Sequence, residues 1–381
     1  MKSYLIIVDK YLPYPSSTGV CAKGISNVLS KDSKITVLTI YGEDYFDEQN
    51  NINVFAVGRD GVNIPLKNIL FGYIQDEDVV KNLVKKGIEL YNKIHFDTIV
   101  SFYQPIETVI SGEKLRKNLK LNHIPCFFDV VDTSLKTSNF KKKIIDFNYE
   151  RLYRRALNHN GFIYLKYYKK YFDKHIFRNE NKAYPIGTPN LIKKEYLSNT
   201  DSDIINITYC GSFYADIRNP RKMLDALKCI AGTNIYFHLY SWGCEDIVKE
   251  YKNIYGDNLA IHGRVSSEEV EKALAGANVL VNLSNTSENQ VPGKVMEYFS
   301  YGKPVLNFKS IANDPGNEDY EAYPLIKNVE LYSRINTQEI IEYINDFKNR
   351  QIPFTEIAEK FNDSTPEFCC QIINDVLNGE K

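Results

Sequence analysis

The chain contains no Cys-x-x-Cys pair, no Gly-x-Gly-x-x-Gly, no Gly-x-x-x-x-Gly-Lys-Ser/Thr and no long apolar run. Each absence removes a class. Its seven cysteines (Cys21, Cys126, Cys210, Cys229, Cys244, Cys369, Cys370) are odd in number and scattered, which argues against a zinc site or a disulfide framework and for reduced thiols. Without the two glycine signatures, dinucleotide oxidoreductases and P-loop NTPases are disfavoured. Leu5–Val8 is the only uninterrupted apolar run before Asp9, too short for a signal-peptide core. No later run nears the ~18 apolar residues of a membrane helix. A soluble, cytoplasmic protein is expected. The histidines (His95, His123, His159, His175, His238, His262) show no nucleophile or metal spacing. Internal repeats and low-complexity tracts are missing too.

What is present begins with size. At 381 residues the chain exceeds what one hydrophobic core organises, so two domains are expected. Hydrophobic residues at 43% and charged residues at 25% are ordinary for a globular protein. A net charge of −1 conceals an asymmetry, because the first half is basic and the second acidic. The basic excess concentrates in Lys136–Lys182, interleaved with aromatics as in LKYYKKYFDKHIF. A solvated helical surface accounts for this, and so does a patch for anionic lipid headgroups or a phosphorylated acceptor. No recognition motif for nucleic acid accompanies it.

Short apolar runs alternate with amphipathic segments. Tyr4–Val8, Ile35–Ile40, Val54–Val57, Thr98–Phe102 and Pro125–Val130 read as buried strands, with helical spacing in Val20–Leu29, Glu77–Ile94 and Glu107–Asn118. Such alternation predicts a parallel sheet covered by helices on both faces. YPIGTPN (Tyr184–Asn190) and the polar Ser198–Asp203 read as a linker. The alternation then restarts, with helices predicted over Pro220–Ala231, Cys244–Ile254 and Ser266–Ala275. A final helix over Glu356–Asn378 is long enough to cross back to the first domain. The expected organisation is an N-terminal Rossmann-like domain (1–183), a linker (184–203), a second Rossmann-like domain (204–355) and a returning helix (356–381). Both domains are α/β and doubly wound, so ligands are expected at the carboxyl ends of strands, in a cleft between the domains.

Three strand–loop–helix junctions carry the chemistry. In NQVPGKVMEYFSYGKPVL (Asn289–Leu306), Pro292 suits the first helical position and Gly302 with Pro304 the exit. Amides at such an entrance favour phosphate, Gly293 permits close approach and Lys294 adds charge. Glu297, one turn on, is placed to accept hydrogen bonds from a diol such as ribose. A plain surface Lys–Glu pair is the competing account. In YCGSFYADIRNPRKMLDAL (Tyr209–Leu227), Arg218, Arg221 and Lys222 sit at a basic helix entrance beyond Gly211. PYPSSTGVCAKGISNVL places Gly19 before a helix that Ser16, Ser17 or Thr18 can cap. Asp76-Glu77-Asp78 has a D-x-D spacing but opens a helix, where carboxylates favour the dipole, so a structural role is expected and no metal.

These motifs, together with YPIGTPN and HGRVSSEEVEKALAGANVLVNLS, resemble nucleotide-sugar glycosyltransferases of the GT-B fold, in particular the retaining family-four type that builds bacterial polysaccharides. The likeness spans most of the chain and is strongest in the second half. It implies transfer of a sugar from a nucleotide-diphosphate sugar, of UDP or GDP type, to a hydroxyl of a glycan or lipid-linked acceptor, with retention and without a metal or other cofactor. By resemblance Glu297 matches the ribose-binding glutamate. Asn289 stands where many members have a second glutamate toward the sugar. Ser212 replaces the usual arginine, and Arg218 lies one residue beyond the usual lysine. Gly263, Arg264 and Val265 match the loop that meets the nucleobase, and Gly19 the loop near the diphosphate. The donor set is completed by Gly211, Pro292, Gly293, Lys294 and Val295. Catalytic candidates are Arg218, Lys294, Asp129 and Asp132, and Tyr103, Gln104 and Asp129 are candidates for acceptor or sugar contacts. Two other readings share the fold: a nucleotide-sugar epimerase, and an inactive scaffold subunit.

Overall fold

The computed structural model describes residues 1–11, 16–59, 62, 75–129, 143–144, 147–148, 161–175, 183–195, 203–288 and 290–379. They form two compact units, Met1–Asn190 with Asp363–Lys381, and Leu191–Asn362.

The first unit is built on an eight-stranded sheet in the order β3-β4-β2-β1-β5-β6-β7-β8. Its strands are β1 (Ser3–Val8), β2 (Lys34–Thr39), β3 (Tyr45–Asp47), β4 (Ile52–Ala56), β5 (Thr98–Tyr103), β6 (Asn122–Phe127), β7 (Phe162–Leu165) and β8 (Ala183–Ile186). All pair in parallel except β3 against β4. Parallel strands are covered on both faces, which is why β1 reads as an unbroken apolar run. Tyr4, Ile6 and Val8 enter one core, and Leu5 and Ile7 the opposite one. Each such side chain, fully buried, contributes about 1.5–3 kcal/mol.

Tyr184–Ile186, read from sequence as linker, belongs to β8 and pairs with β7. Proline and glycine follow the strand rather than replace it. The single final helix also divides, into Phe354–Lys360 and Pro366–Asn378. Thr365 caps the second piece through the Phe368 amide, and Pro366 stands in its first turn, where it lacks the amide needed to continue the preceding helix. Pro366–Asn378 packs on Ser17–Leu29, with Cys369, Cys370, Ile373 and Val376 in the first unit's core.

The second unit carries β9 (Ile205–Ser212), β10 (Ile235–Trp242), β11 (Leu259–Ile261), β12 (Val279–Leu283), β13 (Val305–Lys309) and β14 (Ile326–Glu330). They form one parallel sheet in the order β11-β10-β9-β12-β13-β14. The chain winds outward from β9 to β11, then crosses back to β12 on the other side of β9. That reversal makes β9/β12 the topological switch point, where a crevice opens at the carboxyl ends. Ile207, Val281 and Phe308 enter the core on one face, and Cys210, Leu280 and Val305 the core on the other. Helix Ser267–Gly276 begins with a capping box between Ser266 and Glu269. The predicted helix after Pro220 is shorter than expected, Arg221–Ala226, and tightens into a 3-10 turn over Leu227–Ile230.

Candidate active site

At the switch point β9 and β12 pair only through Ile207–Val279 and Thr208–Leu280. Beyond these residues the two strands part, and Cys210, which pairs with Tyr240 of β10, has no partner from β12. Tyr298, in helix Lys294–Ser300, fills the gap. Its hydroxyl accepts from the Cys210 amide and donates to the Cys210 carbonyl, both at 2.9 Å. The helix is thereby fixed to β9 at the floor of the crevice.

Above this floor the loops after β9 and β12 are tied together. Thr286 donates its amide to the Ile217 carbonyl at 2.8 Å and its hydroxyl to the Asp216 carbonyl at 3.1 Å. Tyr214 and Arg218 exchange both backbone hydrogen bonds, which folds the β9 loop into a narrow hairpin. Arg218 donates Nε–H to Asn285 Oδ1 at 2.9 Å, while one terminal nitrogen reaches the Ser212 carbonyl at 3.4 Å. Asn285 is in turn fastened through its amide to the Gln290 carbonyl. A guanidinium held this way keeps donors in a fixed fork, the geometry that suits phosphate oxygens.

Lys294 opens the helix, and its ammonium lies 2.7 Å from Glu297 Oε2. Burial works against the lysine's charge, and the Glu297 carboxylate more than offsets it, so the ammonium is held above its ordinary pKa. Glu297 itself is 8% exposed. The helix starts two positions later than the sequence suggests. Gly293 is its N-cap, and Pro292 precedes it rather than occupying the first turn. The Val295 amide is used by the Pro292 carbonyl and the Val295 side chain lies in the core.

Toward β10 and β11 the edge becomes aromatic. Trp242 is 43% exposed, packs edge-on against Tyr214, and carries the Arg264 guanidinium 5.7 Å from its ring centre. Gly263 has φ +73 with nothing within 4 Å of where a side chain would project. Gly211 and Ser212 close β9 between this corner and Arg218. Arg218, Asn285, Lys294, Glu297, Ser212 and Gly263 thus line the carboxyl edge of one sheet.

The remaining candidates belong to the first unit. Gly19 lies inside the first turn of Ser17–Leu29, not before it, and its amide is taken by the Ser16 hydroxyl at 3.0 Å. Ser16 in turn donates to Asp9 Oδ1 at 2.6 Å. Tyr103 is buried in the core and Gln104 is exposed at the end of β5. Asp129 is half-buried just beyond β6. Asp132, Asn289 and most of Lys136–Lys182 lie outside the described residues. Asp76 caps Glu77–Ile94 by accepting from the Asp78 and Val79 amides, and Arg59 pairs with Asp76 and Asp78, so the D-x-D spacing is accounted for structurally. Sequence reasoning missed Asn285 and Tyr298, which act through strand order. It also missed Trp242, although the sequence has only 1 Trp.

Over the whole chain the structure is similar to sucrose-phosphate synthase from Thermosynechococcus elongatus, with a TM-score of 0.70 at 11% identity, covering 99% of this chain and 98% of that one. It is also similar to HepE from Anabaena, solved in complex with UDP, with a TM-score of 0.63 at 15% identity, covering 99% and 100%. A third similar structure is the UDP-GlcNAc 2-epimerase from Methanocaldococcus jannaschii, with a TM-score of 0.56 at 11% identity, covering 98% and 99%. No curated protein sequence matches the chain. These likenesses define the fold class as GT-B, two Rossmann-like α/β units in one chain. Residues 205–323, within the second unit, match the glycosyl transferases group 1 family. The second unit therefore carries a glycosyltransferase domain.

Proposed function

We propose that the second unit binds a nucleotide-diphosphate sugar and that the enzyme passes the sugar, with retention, to a hydroxyl of a glycan or lipid-linked acceptor without a metal. The observation that carries this reading is Arg218, held by Asn285 across the switch point. The diphosphate lies at Arg218 and toward Lys294. Ribose meets Glu297, whose Oε2 takes Lys294; among the described residues no hydrogen bond occupies Oε1. The base faces Gly263–Val265, with Arg264 and Trp242 beside it. In the reaction the bond from the anomeric carbon to the diphosphate oxygen breaks, and the acceptor oxygen bonds that carbon. The acceptor proton ends on the released diphosphate. Charge growing on the leaving group is stabilised by preorganised cations, which cost no reorganisation at that moment.

Calorimetry with UDP and GDP tests the site. Glu297→Ala is expected to weaken the preferred nucleotide by roughly tenfold or more, the scale of charge-assisted hydrogen bonds. Unchanged affinity in both Glu297→Ala and Arg218→Ala sinks the assignment. The fold likeness to an epimerase supplies the rival reading, and product analysis with donor alone separates the two, because only an epimerase turns over without an acceptor. Among the described residues no helix is long and apolar enough to cross a membrane. For a lipid-linked acceptor, peripheral contact through Lys136–Lys182 predicts retention on anionic vesicles at low salt and release at high salt.

A further inference from the structure

Lys309 ends β13 at the same carboxyl edge and has no role in the site described so far. It is 8% exposed. Among the described residues no hydrogen bond or ion pair reaches its ammonium. Its neighbours are otherwise engaged. Glu330, its register partner on β14, is turned to the Tyr332 hydroxyl. Asp314 feels Lys309 through space, burial raising its pKa and the lysine acting the other way, but it forms no ion pair with Lys309 and accepts from the Gly316 amide at 2.8 Å. Ser310 is spent on Ser284, donating its amide at 2.9 Å and its hydroxyl to the Ser284 carbonyl at 2.8 Å. An ammonium buried in this way without a hydrogen bond or ion pair is costly, and such groups are kept where an anion completes them.

The position says which anion. Neighbouring strands are about 4.8 Å apart, so the carboxyl edge is a ruler. Along it stand the Gly263–Trp242 corner after β10 and β11, Glu297 against β9, Arg218 with Asn285 at β9/β12, and then Lys309 at β13. The proposed base, ribose and diphosphate occupy the first three places in that order, and the next place, one strand further, falls to the transferred sugar. We infer that Lys309 recognises a carboxylate on that sugar, so that the donor is a nucleotide-diphosphate uronic acid. This rests on the donor orientation proposed above.

The test compares matched donors by calorimetry: UDP-glucuronate against UDP-glucose, GDP-mannuronate against GDP-mannose, and UDP and GDP alone. The wild type is expected to favour the acidic member of the pair carrying its preferred base by about tenfold, the scale of one hydrogen bond between charged partners. Lys309→Met brings the ratio near one while leaving the free nucleotide's affinity unchanged, and Lys309→Arg keeps the preference. In the absence of ligand, Lys309→Met is expected to raise Tm by a few degrees, since removing an unpaired buried charge relieves the fold. A wild-type ratio near one overturns the inference, as does a preference that survives Lys309→Met. A fall in Tm for Lys309→Met marks the lysine as a structural cation and also overturns it. Failure of UDP and GDP themselves to bind is a different result, and refutes the donor site.

Discussion

Asn285 Oδ1 accepts from Arg218 Nε at 2.9 Å, joining loops that follow β9 and β12. These residues are far apart in sequence and meet because the strand order reverses between them. The hydrogen bond holds the guanidinium before any ligand arrives, so less side-chain freedom is lost on binding.

Removing the holder is therefore distinguishable from removing the charge. Arg218→Ala is expected to weaken nucleotide-diphosphate binding by one to two orders of magnitude, from the loss of a charged hydrogen-bonding group. Asn285→Ala keeps the charge and is expected to cost roughly tenfold or less. Calorimetry of both variants, singly and combined, checks this. Because one residue acts through the other, the double variant is expected to resemble Arg218→Ala rather than the sum.

Glu107 gives a pH dependence. It is 1% exposed, and its Oε1 accepts from the Asp76 amide at 2.6 Å. Burial raises its pKa from 4.5 to about 7, with the Asp76 and Glu107 amides acting the other way. The folded state thus holds the proton more tightly than the unfolded chain. The associated stability is fully present below about pH 4.5 and is lost as pH rises to about 7, a change on the order of 3 kcal/mol. Glu107→Gln is expected to flatten that part of the profile in urea unfolding. An identical slope in wild type and variant would show that another group is responsible.

Lys303 closes the exit of helix Lys294–Ser300. It is 6% exposed, and its ammonium donates to the carbonyls of Leu274 at 3.2 Å and Ala277 at 2.6 Å and to that of Ala275. These carbonyls end Ser267–Gly276 and have no helical partner of their own. Lys303→Met is expected to destabilise the protein by about 2–4 kcal/mol, because buried acceptors lose their donor. Thermal or urea unfolding provides the measurement, and a variant as stable as wild type refutes the capping role.

Gly302 tests the same exit from the backbone side. Its φ is +66, and an added Cβ would lie 2.1 Å from the Ile352 carbonyl oxygen. Gly302→Ala is expected to cost more than the ~1 kcal/mol of an ordinary left-handed residue, because it also collides with backbone. A loss below 1 kcal/mol on unfolding would show that the Ile352 segment yields.

The sequence disclosed the elements more readily than their meeting points. Buried strands were legible because parallel sheets make them unbroken apolar runs, as in Tyr4–Val8. Arg218, Lys294 and Glu297 were legible because each stands at a punctuated strand–helix junction. Tyr298 and Asn285 were not, since their roles depend on β9 lying beside β12, which chain order does not reveal. Lys309 left a faint sign, a lysine closing an apolar strand. The break before Pro366 carried a stronger one, a Thr-Pro-Glu helix start that the length of the apolar pattern obscured.

Tyr298 has a consequence for observing this enzyme at work. Its hydroxyl is both donor and acceptor for Cys210, so one side-chain atom stands in for a missing stretch of sheet. Exchange of the Cys210 amide with solvent deuterium then requires the helix bearing Lys294 and Glu297 to lift from the strand. That single proton is a clock on the opening of the nucleotide's seat, readable without a substrate and expected to slow when the seat is filled.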